Sequence, residues 1–360
     1  MRKLVVTAQQ VAKKAGVSQT TVSFVLNNVE GANISEATRD RVLQAAHELG
    51  YVPAAAARNL AKGMSSNLAL VLFKPHAQVF LDPYVPNVIT GFSRVAKQNG
   101  FRLLVEEISD VDEVGVMTQL LRGGEAAGIV SSGSSPQYYE RLHDLVNDGY
   151  PILSLDPDPI IPSVAIDHPN GVRSAIAHLV GLGHREIACI TYAPISDHPN
   201  TDVSRRLRAY QGMLSAHGIE PDDRLIRLGN YDPESGYEAA RSLLEAHPNL
   251  TAIYGMNDLM ALGAMRAIHE SGRRIPEDIA VIGYDDMRFT PFTSPPLTTV
   301  HAPEIELGAR AAEVLIHRIK EQSWEGSLHL LSTHLVIRDS CGGKRPAEDP
   351  VIPFDQSVQP

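Results

Sequence analysis

Gln19, Thr20, Thr21, Ser23 and Asn27 fall on the outward positions of one helical stretch, while Val22, Val25 and Leu26 turn inward. Amides and hydroxyls of that reach suit base edges and phosphate oxygens. A second group is Asp156, Asn257-Asp258 and Asp285-Asp286. Each follows an apolar run of strand character: PILSL, TAIYGM and IAVIGY. In open α/β sheets, ligands bind beyond the carboxyl ends of the strands. Carboxylates and an amide placed there accept and donate hydrogen bonds to hydroxyls. A single acid of this kind reads equally as a helix cap, and Asp258 is read that way. Asp156, Asn257 and Asp285 gain weight by converging from three strand ends.

The elements that must position these groups are legible. In TAQQVAKKAGVSQTTVSFVLN (residues 7–27), Thr7 and Gln10 have capping-box spacing, and Val11, Ala12 and Ala15 share a face. Gly16 ends that helix and Ser18 caps the next. Two short helices about a tight glycine turn make a helix-turn-helix, whose second helix enters the DNA major groove. Any small helical hairpin would share the pattern. A third helix runs from Ser35 to Leu49, with Val42, Leu43, Ala46 and Leu49 as its apolar face and Gly50 at its end. Pro53 and AAAARNLAKG then predict a helix of about two turns, marginal alone in water.

From Asn67 the pattern alternates. Strand runs are LALVLF, FRLLVEE, AGIVSS, PILSLD, SVAID, IACITY, TAIYGMN and IAVIGYDD. Helices are expected at 86–99, 112–122, 136–148, 170–182, 204–217, 233–246 and 258–271. Repeated β-α units imply parallel sheets with right-handed crossovers, and about ten strands imply two sheets in two lobes. Residues 342–360, rich in Pro, Gly and charge, read as a disordered tail.

Charge divides unevenly along the 360 residues. Net charge is −10, yet residues 1–62 carry eight basic and four acidic residues, which leaves −14 on the remainder. A basic head on an acidic body confines phosphate attraction to the head. The apolar run Leu4-Val5-Val6 is too short for a signal peptide, and no run approaches membrane-span length, so a cytoplasmic location is expected. Cys189 and Cys341 give neither a disulfide framework nor zinc spacing, and no cofactor or metal is expected. GxxxxGK[ST], HExxH and GxSxG are missing, and the GLG at 181–183 precedes its strand, so it terminates a helix. A glycosidase would need two carboxylates flanking a bond, for which Asp156 and Asp285 could be imagined. A DNA-binding head has no purpose in such an enzyme.

Six segments in order carry a resemblance: VAKKAGVSQTTVSFVLNN, ISEATRDRVLQAAHELGYVP, AAAARNLAKG, LVGLGHREIACI, NDLMALGAMRAIHESGRRIPEDIAVIGYDD and SPPLTTV. Over about residues 6–340 the chain resembles the LacI/GalR family of bacterial transcriptional regulators. The resemblance implies an all-α helix-turn-helix headpiece (1–52), a hinge helix and linker (53–66) and a periplasmic-binding-protein-like core of two doubly wound parallel-sheet lobes (67–341). The lobes are expected at 67–166 with 299–326, and at 167–298 with 327–341. A homodimer on double-stranded operator DNA is implied as well. By the same resemblance Gln19 and Thr20 read bases, while Thr7, Ser18, Thr21, Ser23 and Asn27 anchor phosphates. Phe24 stands where several members carry Arg, so a guanine contact is replaced by one suited to a thymine methyl. Ala57 and Leu60 match the hinge residues at the minor groove, where an apolar wedge kinks a base step. Without the resemblance, Leu60 reads as a helix-packing residue.

For the effector, the resemblance adds Arg206 and the aromatic Tyr231 to Asp156, Asn257 and Asp285. Phe73, Asp82 and Tyr84 follow from the first strand-to-helix loop. Planar bidentate groups and an aromatic face suit a sugar or sugar phosphate, which implies a repressor of a carbohydrate operon released by its effector. A purine corepressor is the competing ligand. Purine-responsive members carry Arg and Thr six and four residues before the matched Arg, where Asn200 and Asp202 stand here.

Overall fold

The computed structural model describes residues 6–26, 32–51, 65–73, 84–108, 115–133, 136–192, 201–324 and 326–343. Asn27, Ala57, Leu60, Asp82 and the tail from 344 lie outside them.

Three helices form the head: α1 (Ala8–Ala15), α2 (Gln19–Leu26) and α3 (Glu36–Leu49). The Thr7 N–H donates to Gln10 Oε1 at 2.8 Å and the Gln10 N–H donates back to Thr7 Oγ1, closing the capping box. Gly16 takes the left-handed conformation (φ 67°) that turns the chain, and the Thr21 N–H donates to Ser18 Oγ at 3.0 Å. Val11, Ala12, Ala15, Val22, Val25, Val42, Ala45 and Ala46 form a closed core. Leu43, expected on that face, is instead 46% exposed, and Ala45 takes the buried position. The packed face of α3 is narrower than its apolar pattern.

The rest is α/β. The first sheet has the order β11-β5-β4-β3-β1-β2, all parallel. Its strands are β1 (Asn67–Phe73), β2 (Arg102–Ile108), β3 (Ile129–Ser132), β4 (Ile152–Ser154), β5 (Ser163–Ile166) and β11 (Leu328–Leu331). The second sheet has the order β12-β10-β9-β8-β6-β7, parallel except for β12 against β10. It contains β6 (Ile187–Thr191), β7 (Ile226–Leu228), β8 (Ala252–Gly255), β9 (Ala280–Asp285), β10 (Thr298–His301) and β12 (His334–Val336). The helices that matter below are α4 (Tyr84–Gln98), α5 (Gly115–Arg122), α6 (Pro136–Asn147), α7 (His168–Gly181), α8 (Asp202–Ala216), α9 (Pro233–Ala246), α10 (Asp258–Glu270) and α11 (Glu304–Glu321). Six of the seven residues of β1 are buried, as a parallel strand covered on both faces requires.

The chain crosses between sheets at Asp167, at 302–303 and at 332–333. Two expected boundaries are thereby corrected. Residues 299–301 stay in the second sheet, because β10 pairs with β9 and β12. Residues 328–331 join the first sheet, because β11 pairs with β5. In each sheet the strand order reverses beside a central strand, between β1 and β3 and between β6 and β8, which marks where a cleft opens at the carboxyl ends.

Candidate functional site

On the head, the inward residues of α2 are Val22 and Val25, which leaves Ser18, Gln19, Thr20 and Ser23 exposed and Thr21 half-buried. Phe24 stands with them, 40% exposed, so an aromatic ring faces outward on the same surface as the amide and hydroxyls. Thr7 is exposed at the start of α1. An exposed ion pair, Lys14–Glu48 at 2.7 Å, links α1 to α3.

The cleft is organised around Arg206, on the first turns of α8 and 6% exposed. Its Nε lies 2.7 Å from Asp202 Oδ2 one helical turn earlier, an ion pair too bent to count as a hydrogen bond. One terminal nitrogen donates to the Met256 carbonyl at 3.3 Å, and the other donates to His168 Nδ1 at 2.9 Å. The guanidinium lies 4.4 Å from the Tyr284 ring centroid and 5.4 Å from that of Tyr192. Tyr192 stacks on Tyr231 at 4.5 Å and 25°, and its hydroxyl donates to Asp202.

Protonation follows from these contacts. Arginine only donates, so His168 Nδ1 accepts, from Arg206 and from the Tyr284 hydroxyl at 2.9 Å, and the ring proton sits on Nε2. Burial, reinforced by the Arg206 charge, pushes His168 down to about 3, and it stays neutral. For Asp202, burial is the largest influence and opposes the charge, but Arg206 together with the smaller contributions of His168, Arg205 and the Tyr192 hydroxyl outweighs it and holds the carboxyl well below its usual range.

Opposite, at the end of β4, Asp156 Oδ2 accepts from the Gly133 N–H at 3.1 Å and the Tyr139 hydroxyl at 2.8 Å. Burial, and then the charge of Asp202, raise its pKa. Tyr84 begins α4 half-buried, its phenol raised by burial and by the charges of Asp156 and Glu304. Glu304, 4% exposed, accepts from Asn87 at 2.7 Å.

The expected residues divide accordingly. Asp156, Arg206, Tyr231, Asn257, Asp285 and Tyr84 stand at or just beyond strand ends and helix starts. Asn257, rather than Asp258, is the cap of α10: its oxygen accepts from the Met260 N–H at 2.8 Å, while its amide donates to the Tyr231 carbonyl at 3.0 Å. Tyr231 itself has φ 63°, a conformation an aromatic residue rarely adopts. Asp285 (φ 106°) and Asp286 (φ 60°) are likewise left-handed as the chain leaves β9. Asp258 is fully buried, accepting from the Met287 N–H at 2.7 Å and Thr299 Oγ1 at 2.6 Å, and so ties the β9–β10 connection to α10. Phe73 is 4% exposed and stacked on Tyr138 at 4.8 Å, within the core beneath the Gly133 turn.

The sequence reading missed His168, Tyr192, Tyr139 and Tyr284, and named Asp202 only as the residue standing where purine-responsive members carry Thr. His168 and Tyr192 carried a usable signal, since they follow SVAID and close IACITY at the same strand-end positions as the acids that were found. Among the described residues no three His, Cys, Asp or Glu side chains are grouped to hold a metal, and no helix is long and apolar enough to cross a membrane.

Comparison with known proteins agrees with this arrangement. Residues 7–54 match the model of bacterial regulatory proteins of the lacI family, and residues 176–341 match the periplasmic binding protein-like domain. The HTH-type transcriptional regulator CelR of Thermobifida fusca is 33% identical, covering 93% of this chain and 98% of its own length. The repressor PurR of Pasteurella multocida is 32% identical at the same coverage. Among solved structures, the Lac repressor dimer bound to operator and the anti-inducer ONPF superposes with a TM-score of 0.81 at 31% identity, covering 93% of this chain and 99% of that one. The CelR–cellobiose complex gives 0.68 at the same identity and coverage. With a helix-turn-helix head, a two-sheet binding core and relatives matched over nearly their whole length, the chain belongs to the LacI family of bacterial regulatory proteins and is a DNA-binding transcriptional regulator rather than an enzyme.

Proposed function

We propose that the protein is a homodimeric repressor of a carbohydrate-utilisation operon, released when a sugar binds between its two core lobes. The observation that carries this reading is the stacked Tyr192–Tyr231 pair beside the Asp202–Arg206 ion pair, with Asp156 opposite. An aromatic face covers the apolar side of a pyranose, and carboxylates bond its hydroxyls. A relative solved with cellobiose and the Lac repressor bound to ONPG support a sugar. Asp156, Arg206, Tyr231, Asn257, Asp285 and Tyr84 would form the pocket, with Asp82 outside the described residues.

On DNA, Gln19 and Thr20 would read bases and Thr7, Ser18, Thr21, Ser23 and Asn27 would hold phosphates. Phe24 would meet a thymine methyl. Ala57 and Leu60 of the 53–66 hinge would enter the minor groove, and the two hinges would fold only when paired on the operator. Effector and operator affinities would then be coupled by one reciprocal factor.

A purine corepressor is the second reading, favoured by the PurR relatives and by a tyrosine stack that fits a planar base equally well. A thermal-shift screen of neutral sugars and nucleobases, followed by operator binding with and without the hit, separates the two. A sugar that weakens operator binding supports release. A base that strengthens it replaces this reading with corepression.

A further inference from the structure

Asp202 stands between two guanidiniums. Its Oδ2 lies 2.7 Å from Arg206 Nε and its Oδ1 lies 3.5 Å from an Arg205 terminal nitrogen. Both arginines are largely enclosed, with 18% of the Arg205 side chain and 8% of the Arg206 side chain exposed. An enclosed guanidinium is the usual receptor for a phosphate or carboxylate, since its fork matches those anions bidentately. Here that role is already filled from within the chain. Arg206 also donates to the Met256 carbonyl and to His168 Nδ1, and Tyr192 donates to the same Asp202 carboxylate.

The remaining described charges around the cleft point the same way. Asp156 on the first sheet is raised by the Asp202 charge, so the two carboxylates act on each other. Glu304 and Asp285 both act on the Tyr284 hydroxyl. His168 is a neutral acceptor at Nδ1 and adds no positive charge. Asp202 thus offsets one of the two guanidinium charges, and Asp156, Asp285 and Glu304 add negative charge around the cleft. Asp202 Oδ1, Arg205 Nε and Arg206 Nε are all buried and lack hydrogen-bond partners among the described residues. A hydroxyl, which both donates and accepts, suits both sides of that ion pair, whereas an anionic oxygen suits only the guanidiniums.

We propose that Asp202 sets the charge class of the effector: the cleft takes an uncharged, hydroxyl-rich ligand and rejects its phosphorylated or carboxylated counterparts. This rests on reading the cleft as the effector site, and it narrows that reading from sugars and sugar phosphates to neutral sugars.

The test compares the full-length protein with Asp202→Asn and Asp202→Glu, using calorimetric titration with inorganic phosphate and with glucose 6-phosphate. Taking the difference between variants cancels anion binding at the DNA-binding head. Loss of one enclosed countercharge should tighten both anions at least about tenfold in Asp202→Asn, and Asp202→Glu should stay like the parent. Asp156→Asn, which leaves the arginine contacts intact, should move both anions in the same direction by less, and it decides the matter if Asp202→Asn does not fold. Anions bound equally by parent and variants, or gained equally by Asp202→Glu, would overturn the proposal. A separate arm screens cellobiose, lactose, glucose and hypoxanthine against the parent. If only hypoxanthine binds, the carbohydrate reading falls, while the phosphate titrations still judge the role of Asp202.

Discussion

Replacing Arg206 by Gln tests whether this residue is a structural keystone of the second sheet's cleft edge or only a ligand contact. The substitution leaves Asp202, 19% exposed at its side chain, without its main countercharge. It also removes the donors to the Met256 carbonyl and His168 Nδ1. Breaking a buried pair from one side typically costs about 3–5 kcal/mol, because the remaining charge is uncompensated. At about 2–4 °C per kcal/mol for a domain of this size, the transition should fall by on the order of 10 °C. The pH dependence should invert. In the parent, Asp202 is held below its usual range, so its contribution is present above the unfolded carboxylate pKa and fades as pH falls through the folded one. In Arg206→Gln, burial acts with far less opposition and lifts Asp202, so acid should relieve part of the penalty. The double variant with Asp202→Asn should be more stable than Arg206→Gln alone, because no buried charge is left behind. Thermal unfolding at pH 7.5, pH 5 and pH 3 compares the parent with both variants. The keystone argument is refuted if Arg206→Gln melts within about 0.5 kcal/mol of the parent while losing effector binding, as expected of a residue that only touches ligand.

His168→Asn keeps an oxygen acceptor for Arg206 but removes a titrating ring. Because burial and Arg206 lower the folded pKa of His168 to about 3, the unfolded chain takes up a proton below about 6.5 that the folded protein refuses, costing about 1.4 kcal/mol per pH unit. The variant should lose that part of the acid slope between pH 6.5 and 5 in thermal melts, and an unchanged slope would count against a neutral His168. Thr7→Ala should destabilise the head by about 1 kcal/mol through loss of the capping box, read as faster amide exchange in α1 with the core transition unmoved. Gly91→Ala should cost about 3 kcal/mol or more, because a Cβ there would sit 1.8 Å from the Ile305 carbonyl and 2.8 Å from the Ala309 nitrogen, backbone atoms of α11 that cannot rotate away. Denaturant unfolding of the core checks it, and a loss within the usual surface range would mean that α4 and α11 can separate freely.

What the sequence disclosed and what it withheld divide along the range of the interactions. The caps at Thr7 and Ser18 and the glycine turn at Gly16 are local, and every partner lies within a few residues, so type and spacing suffice. The eight strand runs were legible for the same reason, most being buried on both faces, while β2 at its sheet edge still shows a run of apolar residues. The strands β7, β11 and β12 were not, because they lie toward sheet edges, are three or four residues long and are only partly buried, so no continuous apolar run announces them. The cleft acids were found because strand ends are marked in the chain. Their partners were not, because His168 meets Arg206 across 38 residues and Tyr284 across 116. Asp202 shows the consequence most directly. Its contact with Arg206 is one helical turn away and was in principle readable as an i,i+4 pair. On an exposed helix that pair is ordinary. What gives it weight is enclosure by Tyr192, Tyr284 and His168, contributed by three different elements, and that enclosure turns a routine ion pair into the group that decides which charge the cleft will admit.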